Sequence, residues 1–155
     1  MTESPSLRRA HAIALGVPAL LLAGAYVSEY GFGLFPCEMC WWQRYPHFVA
    51  VVLAAIAFFV PPRALWIALA AAAVLVSGAI GGFHAGVEYH WWQGITGCTS
   101  PIPQGGDALE NIMNAPLIRC DAAPWTLFGI SLAGWNFLIS TVAGLAALAL
   151  LARKA

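Results

Sequence analysis

Charged side chains are scarce in this sequence of 155 residues. Lysine, arginine, aspartate and glutamate together make up 9% of it, and hydrophobic residues make up 61%, whereas soluble domains average about 25% charged residues. Seven basic residues balance seven acidic ones, so the chain also lacks the net positive charge that nucleic-acid binding requires. These deficits argue against a water-soluble domain and a nucleic-acid partner, and they predict a membrane protein.

Four apolar stretches approach the roughly 20 residues that a helix needs to cross the hydrocarbon layer. Only Pro61, Pro62 and Arg63 separate the second stretch from the third, so these two helices are expected to form a tight hairpin. The predicted fold is all-α, a single four-helix transmembrane bundle over residues 1–155. Its spans are expected at about residues 10–27, 45–60, 64–83 and 129–151, and its outer loops at about residues 28–44 and 84–128.

Basic residues are unevenly placed along the chain. Five of the seven lie before the first span, between the second and third, or after the fourth: Arg8, Arg9, Arg63, Arg153 and Lys154. Because short loops rich in Lys and Arg face the cytoplasm, we place both termini on that side. The start of the chain also resembles a signal peptide, but no small-residue cleavage pattern ends its apolar run, so we expect it to be retained.

The four cysteines all fall in the predicted outer loops. Cys37 and Cys40 form a Cys-x-x-Cys motif just before the second span, whereas Cys98 and Cys120 lie in the second loop. Disulfide chemistry at such positions fits an oxidising compartment. A Cys-x-x-Cys motif at the start of a helix is typical of a redox pair. Two structural disulfides or a zinc site are the alternatives, and the spacing alone leaves all three open.

Arg44 follows Cys40 by four residues, which places both on one helix face if the helix begins near Cys40. A guanidinium at that distance favours the thiolate form of Cys40. The alternative for Arg44 is an anchor that reaches lipid headgroups. His47, one turn beyond Arg44, is expected to line the same pocket.

Several segments resemble the disulfide bond formation protein B (DsbB) family, which comprises thiol oxidases of the bacterial inner membrane. These segments cover residues 36–44, 86–88, 91–92, 119–121, 124–125 and 127–136. The resemblance implies active loops on the periplasmic side and a DsbA-like thioredoxin-fold partner. It also implies that electrons from this partner pass to a membrane quinone, either ubiquinone or menaquinone.

The resemblance further implies a role for each cysteine. Cys98 and Cys120 would form the disulfide that is offered to the partner, and Cys120 would then attack Cys37. This exchange would free Cys40 as a thiolate beside the quinone, with Arg44 polarising a quinone oxygen. His47 is included with Arg44 and Cys40 among the expected quinone-binding residues, and no metal is required.

The second outer loop is expected to move during this exchange, because its cysteines are distant in sequence from the first pair. Cys120 would approach Cys37 by this motion, with Gly105 and Gly106 as hinges.

Some assignments stay open at the level of the sequence. His84, Glu88 and His90 lie near the outer end of the third span, and the sequence does not decide which of them lines the quinone site. The alternative function is a non-enzymatic bundle, in which small residues pack the helices and structural disulfides brace the loops.

Overall fold

The computed structural model describes residues 4–99 and 118–153. Four helices dominate that part of the chain: α1 (Pro5–Phe32), α2 (Glu38–Ile56), α3 (Arg63–Glu88) and α4 (Leu132–Ala152). A short 3₁₀ turn, Gly97–Thr99, carries Cys98. Two antiparallel strands, β1 (Thr126–Leu127) and β2 (Ile130–Ser131), precede α4. The expected hinges Gly105 and Gly106 lie outside the described residues.

Side-chain caps mark the starts of α1, α2 and α4. The hydroxyl of Ser4 accepts a backbone hydrogen bond at the start of α1, and that of Ser131 does so at the start of α4. Helix α2 is capped by a cysteine, since Cys37 Sγ accepts the backbone N–H of Cys40 at 3.3 Å. The Cys-x-x-Cys motif therefore forms the first turn of α2.

The observed helix bounds differ from those of the predicted spans, and the membrane-crossing parts of the helices stay predictions. Helices α1 and α3 extend beyond both ends of residues 10–27 and 64–83, because helical backbone continues through polar residues that hydropathy alone leaves out. Helix α2 runs from Glu38 to Ile56 and not over 45–60, since the chain turns ahead of the prolines of the hairpin. Helix α4 begins at Leu132 and not at 129, because a hairpin with Gly129 at φ 76° precedes it.

Three of the described helices are long and apolar enough to cross a membrane, namely α1, α3 and α4. Helix α2 does not meet that criterion, which we attribute to Glu38, Gln43, Arg44 and His47 in its first half. It nevertheless packs on both α1 and α3. The fourth span and the cytoplasmic position of both termini therefore stay predictions.

The helices pack around the bundle in chain order, and α4 closes the circle on α1. Small residues allow α3 and α4 to approach closely. A Cβ atom at Gly81 would lie 2.9 Å from the backbone oxygen of Ala133, and one at Gly144 would lie 3.1 Å from that of Ala71. The polar side chains of α2, α3 and α4 are consequently brought within hydrogen-bonding distance of one another.

Two apolar clusters fill the bundle. One lies towards the hairpin between α2 and α3, and includes Ala10, Ala54, Ile67 and Val74. The other lies at the opposite end of these helices and consists of Cys37, Met39, Val87 and Cys120, with Cys40 and Cys98 packed against it. The core at this end is thus built around the sulfur atoms.

Gly81→Ala is expected to destabilise the protein by about 1–3 kcal/mol, because overpacking strains a closely packed contact. The added methyl group would meet the Ala133 carbonyl oxygen and, at 3.0 and 3.1 Å, the amides of Asn136 and Gln43. Gly16→Ala is the matched control, since nothing lies within 4 Å of its Cβ position, and it should be neutral or stabilising. Thermal unfolding in detergent measures both, and equal midpoints would contradict the close approach.

Candidate redox site

The structure brings all four cysteines into one cluster. Cys98 and Cys120 form a disulfide with a Cα–Cα distance of 5.5 Å. Cys37 and Cys40 are thiols whose Sγ atoms lie 3.0 Å apart. The Sγ atom of Cys120 lies within 4.8 Å of that of Cys37. The two pairs are therefore neighbours, although Cys98 comes 58 positions after Cys40 in the sequence.

The expectation that the second loop must move before Cys120 reaches Cys37 is wrong for this form of the protein. Cys120 is fully buried in the outer cluster, and its sulfur is already next to that of Cys37. The physical reason is that the disulfide to Cys98 holds this part of the loop against the helix ends. The separation of the cysteines along the sequence gave no indication that Cys120 lies beside Cys37.

Cys37, Cys120 and His84 also lie close enough together to be considered as metal ligands, with the ligand atoms all within 4.8 Å of one another. A zinc site needs thiolate sulfur. Cys120 is held in a disulfide in this form, so the trio offers one thiol and one imidazole. The redox interpretation accounts for the same three residues without a metal.

The first pair favours a thiolate on Cys37. Its Sγ atom shares a hydrogen bond with Cys40, accepts a backbone N–H at the start of α2 and lies 3.6 Å from Nε2 of His84. The bond with Cys40 and the bond with His84 lower the pKa of Cys37 to about 4, although burial opposes the shift. The expectation of a stabilised thiolate on Cys40 is wrong for this form, because the hydrogen bond with Cys37 and burial both raise the pKa of Cys40.

His84 is oriented towards Cys37 by an amide. Gln43 Oε1 accepts a hydrogen bond from Asn136, so Nε2 of Gln43 is the donor that faces His84 Nδ1 at 2.9 Å. The hydrogen of the neutral His84 ring is then on Nε2, which faces the Cys37 sulfur. Gln43 thereby fixes the tautomer that donates to a thiolate.

His84, Glu88 and His90, among which the sequence did not decide for the quinone site, have different surroundings. His84 is buried against Cys37, and Glu88 lies one turn further along α3 with Oε1 at 3.8 Å from His84 Nε2. His90 is exposed and adopts φ 59° just after α3. None of the three lines the cavity described below.

Arg44 is paired with Glu29. Its Nη1 lies 2.6 Å from Glu29 Oε2, its side chain is 7% exposed, and that of Glu29 is 11% exposed. The guanidinium also lies over the rings of Tyr26 and Trp41, at 5.0 and 4.9 Å from their centroids. The positive charge is therefore compensated from α1. The sequence analysis missed Glu29, although a carboxylate in a membrane helix signals a nearby cation.

A cavity of about 260 Å³ lies beside the first pair, between α1, α2 and α4. The three residues expected to bind the quinone, Cys40, Arg44 and His47, all line it. Leucines of α1 and Trp135 form much of its apolar wall, and Ser28, Gln43 and Asn136 add polar groups. An apolar cavity with a few convergent polar groups is typical of a site for a small organic ligand.

A hydrogen-bond network connects this cavity to the sulfur cluster. Asn136 Nδ2 donates to Gln43 Oε1 at 2.8 Å, and Asn136 Oδ1 lies 2.9 Å from His47 Nε2. Ser77 contacts His47 Nε2 at 2.9 Å and donates to the backbone oxygen of Gln43 at 2.8 Å. The sequence analysis did not single out the two amides, whose presence in apolar helices indicates partners on neighbouring helices.

His84→Gln is expected to raise the pKa of Cys37 above about 4, because it removes the imidazole N–H that donates to the Cys37 sulfur and keeps the bond with Cys40. The thiolate should then be lost at a higher pH than in the unmodified protein. Thiolate absorbance during acid titration of the thiol form measures this, with Cys37→Ser as the blank. His90→Gln is the control on an exposed histidine, and coincident curves for all three histidine forms would refute the role of His84.

Comparison with known proteins identifies the family. The model of the family described as Disulfide bond formation protein DsbB matches residues 7–150. Proteins named Disulfide bond formation protein B are similar to this chain in Verminephrobacter eiseniae (34% identical, covering 91% of this chain and 83% of the relative) and in Azoarcus sp. strain BH72 (33%, 86% and 84%). A third, from Polaromonas sp. strain JS666, is 32% identical over 92% of this chain and 89% of its own length. No solved structure matches the chain.

The family match confirms the resemblance noted in the sequence. The long apolar helices agree with it, since they indicate a multi-pass membrane protein. The chain belongs to the DsbB family of membrane proteins of disulfide bond formation.

Proposed function

We propose that this protein is a thiol:quinone oxidoreductase that reoxidises a DsbA-like thioredoxin-fold partner. The observation that carries the proposal is the position of Cys120 Sγ, within 4.8 Å of Cys37 Sγ and beside a cavity that Cys40 lines. Adjacent cysteine pairs relay electrons by thiol–disulfide exchange, whereas a bundle with structural disulfides needs no contact between them. The protein acts as one domain over residues 1–155, in the bacterial inner membrane, with both cysteine loops in the periplasm.

The partner attacks the disulfide at Cys98, which is partly exposed, whereas Cys120 is fully buried. A bond forms between the partner sulfur and Cys98, the Cys98–Cys120 bond breaks, and Cys120 leaves as a thiolate. The hydroxyl of Thr96 donates to Cys120 Sγ at 3.6 Å, which stabilises the leaving anion.

The Cys120 thiolate then attacks Cys37 in the oxidised first pair. A Cys37–Cys120 bond forms, the Cys37–Cys40 bond breaks, and Cys40 leaves as a thiolate at the cavity. The partner forms its own disulfide and releases Cys98, which attacks Cys120 and releases Cys37. Two electrons have then moved from the partner to the first pair, which gives the state seen in the structure: one disulfide and two adjacent thiols.

The cavity beside Cys40 fits a quinone, which supplies an acceptor for two electrons and two protons. Its apolar wall suits a ring and a hydrocarbon tail, and polar side chains occupy one side. Arg44 and His47 would hold the ring oxygens near Cys40. Glu29 and the rings of Tyr26 and Trp41 hold the Arg44 guanidinium in place.

The purified protein is expected to oxidise a reduced DsbA-like protein catalytically when ubiquinone or menaquinone is supplied. The rate of thiol loss from the partner measures this, and one quinone should be reduced for every two thiols lost. Cys40→Ser is the control that keeps the partner-facing disulfide and cannot regenerate the first pair. Oxidation that proceeds equally without quinone would refute the proposal.

A further inference from the structure

Glu88 is a buried acidic residue at the end of α3 that the proposed relay does not use. Its side chain is 3% exposed, and its Oε1 lies 3.8 Å from His84 Nε2. The same ring nitrogen lies 3.6 Å from Cys37 Sγ. One nitrogen of His84 therefore contacts two groups that can each carry a negative charge, the carboxyl of Glu88 and the thiol of Cys37.

His84 has a single hydrogen to offer at this point. Its Nδ1 accepts a hydrogen bond from Gln43, so the ring is neutral and Nε2 carries its only N–H. One N–H does not compensate both a thiolate on Cys37 and a carboxylate on Glu88, and two neighbouring buried anions disfavour each other. The cluster of Cys37, His84 and Glu88 therefore holds one negative charge at a time.

The second carboxyl oxygen indicates which group is neutral in this form. Oε2 of Glu88 is buried and has no hydrogen-bond partner among residues 4–99 and 118–153. A charged oxygen that is buried without a donor costs more free energy than a neutral hydroxyl at the same place. Cys37, in contrast, accepts the backbone N–H of Cys40 at the start of α2. The charge is therefore on Cys37, and Glu88 carries a proton.

Oxidation of the first pair reverses this balance. In a Cys37–Cys40 disulfide the sulfur of Cys37 carries no charge and accepts hydrogen bonds weakly. The N–H of His84 is then available to Oε1 of Glu88. The hydroxyl of Ser131 is a second hydrogen-bond partner of Glu88. Two donors, together with the loss of the neighbouring anion, favour the carboxylate.

We propose that Glu88 binds a proton when the first pair is reduced and releases it when the pair is oxidised. The inference rests on the proposed function, because it concerns the cycling of this pair. Two electrons and two protons convert the disulfide and the Glu88 carboxylate into a Cys37 thiolate, a Cys40 thiol and a protonated Glu88. The net charge of the cluster stays the same in this reaction.

Both electrons and both protons come from the two thiols of the partner, and the protons pass through the solvent. Glu88 is close to solvent, because residues 89–93, which follow it, are exposed. Oxidation of the pair returns two electrons and two protons, the numbers that convert a quinone into a quinol. Without Glu88, the pair alone would supply only the proton of Cys40.

The pH dependence of the midpoint potential of the first pair tests this count. Each proton taken up with the two electrons changes the equilibrium constant tenfold per pH unit, which is about 30 mV for a two-electron couple. The unmodified chain is therefore expected to reach a slope of about 60 mV per pH unit within about pH 5–8, where carboxyl and imidazole groups titrate. Glu88→Gln should keep a slope of about 30 mV throughout.

The titration uses the purified full chain without quinone, equilibrated in dithiothreitol buffers of known potential. Alkylation of Cys37 and Cys40, measured by mass spectrometry, gives the state of the first pair alone. In the part of the chain that the structure describes, the titratable groups that act on Glu88 are these two thiols and His84. Cys120 faces the cluster from a disulfide and does not titrate.

Glu38→Gln is the matched control. Glu38 is exposed in the first turn of α2, next to the first pair in sequence. Its removal takes away a nearby charge without changing the cluster, so the potential should shift equally at every pH and the slope should stay the same. An unchanged slope in Glu88→Gln would overturn the inference, and so would a slope of about 30 mV throughout in the unmodified chain.

Infrared spectroscopy tests the same proton without a variant. The reduced-minus-oxidised difference spectrum of the unmodified chain should gain the C=O band of a protonated carboxyl, and ¹³C-labelled glutamate should shift this band. The absence of a gained glutamate band would overturn the inference and leave the relay intact. Partner oxidation that proceeds equally without quinone refutes the relay itself, so the two hypotheses fail by different results.

Discussion

Cys120→Ser is expected to slow quinone-dependent oxidation of the partner by at least about a thousandfold, as removal of a reacting group does in other enzymes. The disulfide offered to the partner disappears with Cys120, and so does the sulfur that lies within 4.8 Å of Cys37. Cys98→Ser should have an equally large effect, because it removes the point of attack. Steady-state oxidation of a reduced DsbA-like protein measures both variants.

The same substitutions test the structural alternative. Cys98 and Cys120 are 22 residues apart, and closing such a loop stabilises a protein by about 3 kcal/mol. Unmodified protein with only this disulfide reduced lacks the same cross-link, so its thermal midpoint shows how much stability the cross-link supplies. Activity retained per folded molecule in Cys120→Ser would establish a structural disulfide and refute the relay.

Arg44→Gln is expected to destabilise the protein by about 3–5 kcal/mol, because it leaves the carboxylate of Glu29 buried without its partner. Glu29→Gln should destabilise by a similar amount for the converse reason. The double substitution should recover most of the stability, since two amides replace two charges. It should still require more quinone for half-maximal rate, because the group expected to hold a ring oxygen is absent.

Chemical denaturation in detergent gives the stabilities, and quinone titration of partner oxidation gives the second effect. The matched control is Arg119→Gln. Arg119 forms an ion pair with Asp121 that has the same 2.6 Å distance, but the side chain of Arg119 is 65% exposed and that of Asp121 is 26% exposed. Such an exposed pair is screened by water and contributes little to stability. Additive losses in the double variant would mean that Glu29 and Arg44 are not coupled, and Arg44 would then be only a membrane anchor. Arg44→Lys should retain part of the function, since the charge remains without the planar fork.

The sequence predicted the parts of the site that depend on local spacing. Cys37, Cys40, Arg44 and His47 lie within eleven residues, and a helix that begins at Glu38 places the last three along one cavity. Periodicity along one helix is sufficient for such a prediction. The helical fold class followed from composition for a similar reason, since long apolar stretches have few other structures available in lipid.

Contacts between helices were beyond the reach of the sequence. Glu29 meets Arg44 from α1, and Asn136 meets Gln43 from α4. Such pairs depend on how each helix is rotated, which hydropathy does not specify when lipid and neighbouring helices are equally apolar. The charge state of the first pair was misassigned for a related reason, because the sequence does not show that His84 of α3 lies 3.6 Å from Cys37 or that the two thiols are hydrogen-bonded to each other.

In the proposed relay, the sulfur of Cys37 is both the N-cap of α2 and an atom whose covalent partner changes in each cycle. A thiolate accepts the N–H of Cys40 strongly, whereas a disulfide sulfur is a weak acceptor. The first turn of α2 is therefore held most firmly when the pair is reduced, and it is released whenever Cys37 forms a bond to another sulfur. The amide of Cys40 should therefore exchange hydrogen more slowly when the pair is reduced than when it is oxidised. The redox state of the pair would then set the local stability of the end of α2 that borders the cavity.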